Sequence, residues 1–181
     1  MSRFGLTAAG LGMLAPLAAL VLWASPVAAS QKVPVSNLAI TIDYTPGQTH
    51  VSANGNVHVK GLQVVYMLLG ENPLVVGRLT VTGNFNGDAD LNGVGSGSSV
   101  LEVGSWDFSL GYPVFVPSPE GGRFEARWES QGNLQGASTV WAVGHGVAGE
   151  VEGMTYSVVG EAGDPLSAVY TGWLLDPHAR W

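Results

Sequence analysis

Between Trp141 and Leu175 small residues alternate with aromatic or branched ones at every second position, and this period of two restricts the fold more than any other feature. Trp141, Val143, His145 and Val147 alternate with Ala142, Gly144, Gly146 and Ala148. A break at Gly149-Glu150 leads to a second alternating run through Met154, Tyr156 and Val158, and GEAGDP separates that run from Val169 to Leu175. The stretch predicts three strands of a strongly curved sheet, because glycine lets the backbone bend where a barrel turns a corner. On this reading Trp141, His145 and Val147 form the apolar, inward face.

The same period recurs upstream. Leu38, Ile40, Ile42 and Tyr44 alternate with Ala39, Thr41 and Asp43 up to the turn Pro46-Gly47, which predicts a strand with one buried face. Asn54-Gly55 is a turn dipeptide, and Val57 and Val59 open the next strand. Leu62 to Leu69 is apolar on both faces; its shortness, adjacent valines and bounding Gly61 and Gly70 favour a strand over a buried helix. Gly83 to Ser99, almost entirely Gly, Asn, Asp and Ser, predicts a loop or strand edge. Phe124, Ala126 and Trp128 are expected to face inward, with Arg123, Glu125, Arg127 and Glu129 outward. About nine or ten strands and no helical periodicity outside the N-terminus give an all-β, single-domain antiparallel barrel of calycin-like form, or a strongly curved β-sandwich.

The N-terminus has a different character. Arg3, an apolar run from about Gly5 to Trp23, the helix breaker Pro26 and the small residues Val27-Ala28-Ala29 predict a signal peptide over residues 1–29, with an uncleaved anchor as the alternative. Removing 29 residues from 181 leaves 152 for the β-barrel domain, residues 30–181, a length suited to one core. The expected location is secreted or extracytoplasmic, with no stable membrane insertion after cleavage. Cysteine is absent, so no disulfide framework supports the fold. Losing Arg3 leaves six basic against 14 acidic side chains, a formal charge of −8. That acidity argues against nucleic acid, whose phosphates demand basic patches.

Gly55-Asn56-Val57-His58-Val59, the stretch GRLTVTGNFN from Gly77 to Asn86, Trp106 within Gly104-Ser105-Trp106, Gly144-His145-Gly146, Gly149 to Met154 and the closing Leu175-Asp176-Pro177-His178 together resemble a group of uncharacterised bacterial secreted β-proteins. In general plan these are similar to calycin-like barrels of the allene oxide cyclase or dirigent kind. The resemblance implies the barrel fold. It transfers no catalytic residue, since none of those enzymes' site motifs maps onto this sequence.

Two constellations carry chemistry. Asp88-Ala89-Asp90-Leu91-Asn92-Gly93 places oxygen ligands at positions 1, 3 and 5 of an EF-hand-like loop with glycine at 6, which makes Asp88, Asp90 and Asn92 a candidate calcium site. Position 12 is Ser99 rather than a bidentate Glu, and the alternative is an Asx-rich turn between strands. The aromatics Trp106, Trp128, Trp141 and Tyr156, with His145, form a candidate ligand-binding set, against the alternative of simple core filling. No G-x-S-x-G elbow, thiol or zinc spacing occurs, so no catalytic residue is assigned and no cofactor beyond calcium is expected. The expected function is a secreted, non-catalytic binder of a small apolar or amphipathic molecule. The alternatives are a barrel isomerase or cyclase, and a structural or adhesive envelope protein.

Overall fold

The computed structural model describes residues 30–164 and 166–178, and the expected signal peptide, residues 1–29, lies outside them. Ten strands account for most of the described chain: β1 Gln31–Thr45, β2 Gln48–Val51, β3 Val57–Gly70, β4 Gly77–Gly87, β5 Asn92–Asp107, β6 Val114–Pro117, β7 Arg123–Asn133, β8 Ser138–Ala148, β9 Thr155–Asp164 and β10 Ser167–Asp176. Every pairing is antiparallel, in the order β1-β10-β9-β8-β7-β5-β4-β3, and β3 returns to β1 through pairs such as Leu38 with Leu69. Eight strands thus close a barrel, while β2 extends β3 and β6 extends β5. Closure removes the free sheet edges that a disulfide-free chain would otherwise have to protect.

The two ends of the barrel differ. One end carries the 3-10 turns Pro73–Val75 and Gly149–Val151, and a core of Val35, Leu68, Val75, Phe124, Val151, Met154 and Leu174 packs there. The other end carries the turns β1–β2, β4–β5, β7–β8 and β9–β10. Among the described residues no helix is long and apolar enough to cross a membrane.

Apart from bulges and the adjacent buried Met67 and Leu68 of β3, the period of two runs through the long strands, but in two of them the bulkier residues face outward. In β8 the buried side is Ala142, Gly144 and Gly146, whereas Trp141, Val143, His145 and Val147 are exposed on the outer wall. In β1 the buried residues are Val35, Asn37 and Ala39, and Leu38 and Ile42 are exposed; beyond the bulge between Thr41 and Asp43 the parity changes, and Tyr44 reaches the lumen rim. The reason lies across the strand boundary. Gly144 is paired with Tyr156 and Gly160 with Tyr170, and each tyrosine ring lies against its partner glycine on the inside. A narrow lumen already occupied by rings from one strand takes small residues from the next, so the larger set is displaced outward.

The glycine-rich stretch 83–99 forms the facing parts of β4 and β5 rather than a loop. Trp128 of β7 explains its composition: a β-carbon on Gly95 would stand 3.0 Å from the indole, and one on Gly83 closer still, because the ring spreads over both backbones. Trp128 Nε1 donates to the carbonyls of Thr82 and Ser98 at 3.2 and 3.1 Å, so the ring is fixed at both its face and its polar edge. The charged stripe of β7 faces out as expected, with Arg123 paired to Glu125 at 2.7 Å. Farther round the wall, Trp141 lies opposite Val159 and Val169 opposite Leu38, making the outside of β8, β9, β10 and β1 unusually apolar.

Candidate functional site

A cavity of about 490 Å³ runs inside the barrel. Its floor is aliphatic, with Val35, Leu68, Val75, Leu79 and Leu101; its waist holds Tyr66, Trp128, Tyr156 and Tyr170. Leu134, Leu166 and Tyr44 line the far end, and the exposure of Leu166 (65%) and Tyr44 (53%) places the opening there. Asp164 is the one residue of an ionised type among the lining residues described, and it stands at that rim. Its carboxylate accepts from the backbone N–H groups of Leu166 and Ser167 at 2.7 and 2.9 Å, which holds its pKa below the usual carboxylate value.

The polar groups inside are neutral. Burial pushes Tyr156 up to about 12, more than the opposing hydrogen bond with Ser99 lowers it. Tyr170 is raised further, by burial first and then by the neighbouring phenols of Tyr66 and Tyr156; Tyr66 is raised by burial against a hydrogen bond with Thr41. Three phenols therefore share the waist in protonated form at ordinary pH. At the floor Asn37 is 3% exposed, and its Nδ2 donates to the Val75 carbonyl at 2.8 Å. Its Oδ1 is buried with no hydrogen-bond partner. A carbonyl can only accept, so the bond to Val75 fixes which end of the amide points away from it. An orphaned buried acceptor costs about 1–3 kcal/mol, which makes Asn37 an exception that the otherwise well-paired interior does not explain.

The structure divides the expected ligand set. Trp128 and Tyr156 line the cavity. Trp141 and His145 do not: both stand on the outer wall, Trp141 at 45% exposure and His145 with Nδ1 3.2 Å from Thr155 Oγ1. The bulkier half of an alternating strand is ordinarily the buried half, and in β8 it is the exposed one. Trp106 also lies outside the lumen, with Nε1 donating to the Gly77 carbonyl at 3.2 Å and its ring tilted against Phe115 of β6 at 5.3 Å. Asn37, Tyr66 and Tyr170 join the site in their place. Tyr170 belongs to an alternating aromatic strand, but nothing local marks Asn37 beyond its position between Val35 and Ala39.

The candidate calcium loop is a hairpin turn. Asp88 Oδ1 accepts from the N–H groups of Asp90 and Asn92, each at 2.9 Å, and Leu91 takes the left-handed conformation at φ 63°. Asn92 Oδ1 accepts from Asn133 Nδ2 at 3.0 Å. Two of the three expected ligands are thus engaged in shaping the β4–β5 turn and tying it to β7, as in an Asx-rich turn between strands. Among the described residues no group of three or more His, Asp or Glu side chains is placed to hold a metal ion. His50 and His58, on the consecutive strands of one hairpin, face each other across β2 and β3 with ring centroids 6.4 Å apart, and His58 Nδ1 is 2.7 Å from Asn86 Oδ1.

No protein-family model matches the chain, and no curated protein is similar to it, so the fold and the cavity carry the functional argument.

Proposed function

We propose that this protein is a secreted, non-catalytic binder that holds a small apolar or amphipathic molecule inside its barrel. The observation that supports this reading is the cavity itself. Its volume of about 490 Å³ falls within the range of small-molecule sites, its walls are aliphatic and aromatic, and it reaches solvent at one end. The alternative of a barrel isomerase or cyclase draws less support. Acid–base chemistry near neutral pH needs a group poised near that pH, and the phenols inside are pushed away from it. The apolar outer wall of β8, β9, β10 and β1 favours, as a second reading, an envelope protein that meets a partner through that surface.

The test is titration of the protein with the neutral fluorophore N-phenyl-1-naphthylamine, alongside native mass spectrometry for retained ligand. Ala142→Phe places a ring in the lumen, since Ala142 lines the cavity on β8. Wild type should bind the probe and gain thermal stability, by about 2.7 kcal/mol at a hundredfold excess over Kd, and the variant should lose at least tenfold in affinity. A folded wild-type protein that binds neither probe nor natural ligand refutes the proposal.

A further inference from the structure

Resting on that reading of the lumen, we infer that the ligand carries a hydrogen-bond donor, a hydroxyl or N–H, and enters donor first to meet Asn37 Oδ1 at the cavity floor. Three observations converge on this residue. Asn37 is among the residues that line the cavity, its side chain is buried, and its Oδ1 has no partner. The side chain cannot relieve the vacancy by turning over, because Nδ2 is held by Val75 O at 2.8 Å and the flipped amide would set two acceptors against each other. The position is also prepared by the backbone. Asn37 on β1 sits opposite Gly70 on β3, where a β-carbon would stand 2.7 Å from Asn37 Nδ2. Glycine at that position leaves the carboxamide the space it occupies.

The surroundings set the rest of the ligand. Leu68, Leu79 and Leu101 surround Asn37 at the floor and the tyrosine rings stand above it, with no ionised side chain among the described lining residues until Asp164 at the rim. A carboxylate head would meet an acceptor instead of a donor at Asn37, and an ammonium head would be buried without a counter-charge. The chemical class that fits is a neutral chain or ring system ending in one donor, such as a long-chain alcohol or a hydroxylated terpenoid or sterol-like fragment. Discrimination of this kind works through the unpaired group: an analogue without the donor leaves the acceptor vacant.

The experiment compares 1-dodecanol, its methyl ether and dodecane as competitors of N-phenyl-1-naphthylamine on the full-length secreted protein. Wild type should prefer the alcohol over the ether by about tenfold, equivalent to about 1.4 kcal/mol. In Asn37→Leu the preference should fall below about twofold while dodecane still competes. Equal affinity of wild type for alcohol and ether overturns the donor-first inference and leaves the lumen-binding reading standing. Displacement by none of the three, together with no probe binding, removes both. The wild-type comparison decides the matter even if Asn37→Leu does not fold, and a folded Asn37→Leu that keeps the tenfold preference also refutes the assignment.

Discussion

Replacing Gly144 by alanine tests why the lumen is lined by small residues on β8. A β-carbon there would stand 2.7 Å from Tyr156 Cζ and 2.8 Å from the Ala126 β-carbon, with Tyr156 Cε1 closer still. Contacts this short cannot persist, so either the ring or the β7–β8 backbone must move. Ring displacement loses the Ser99 hydrogen bond, about 1 kcal/mol, and overpacking adds about 1–3 kcal/mol. The expected destabilisation is therefore about 2–4 kcal/mol. At about 2–4 °C per kcal/mol for a domain of this size, the midpoint should fall by roughly 5–15 °C in a thermal melt followed by circular dichroism. Gly163→Ala is the control, because a β-carbon there meets nothing within 4 Å and φ is not positive; it should be neutral or slightly stabilising. Combining Gly144→Ala with Tyr156→Leu should recover part of the loss by removing the ring that is struck. A Gly144→Ala midpoint within about 1 °C of wild type would refute the account of β8 as a ring-bearing seam. So would a double variant no more stable than the sum of the two single changes predicts.

Trp141→Ala and His145→Ala, both on the outer wall, should leave affinity for N-phenyl-1-naphthylamine within about twofold of wild type; a tenfold loss in either would show that the outer wall contributes to the lumen site. Alkaline denaturation should be steep. Tyr156 ionises near 10.0 unfolded but near 12 in the fold, so stability is intact below pH 10 and declines as the unfolded chain releases protons that the folded one retains. Tyr156 alone withdraws about 2 kcal/mol by pH 12, Tyr66 and Tyr170 shift in the same direction, and a urea midpoint unchanged from pH 9 to 11.5 would contradict the buried phenol cluster.

Much of the fold was legible because strand formation is a local property. The alternation from Trp141 to Leu175 yields β8, β9 and β10, and the charged residues of β7 fix its outer face, since exposed carboxylates and guanidinium groups can go nowhere else. Where no charged side chain marks a face, as in β8, or where the charge lies beyond a bulge, as Asp43 does in β1, the bulk of the side chains is a poor guide. Bulk points Trp141 and His145 inward although both stand outside, whereas Trp128, whose strand carries Arg127 and Glu129 on its other face, lies inside as its pattern predicts. The glycines of 83–99 looked like loop residues because the group that requires them, the Trp128 indole, lies some thirty or more positions away in the chain. Asn37 gave no local sign of its role, since its significance depends on the Val75 carbonyl holding one end of the amide and nothing meeting the other.

The sequence by itself determined that this chain is all-β, free of disulfides and acidic, with strands of period two separated by Gly, Pro, Asn and Asp turns. Those properties depend on neighbours two to four residues apart. Only the tertiary structure decided which sides of β1 and β8 face the lumen, that the barrel retains a cavity instead of a solid core, and that the carboxamide oxygen of Asn37 is left unpaired at its floor. The physical reason is volume. Whether a ring from one strand leaves room for a side chain from the next is settled by packing between segments distant in sequence, and no period within either segment encodes it.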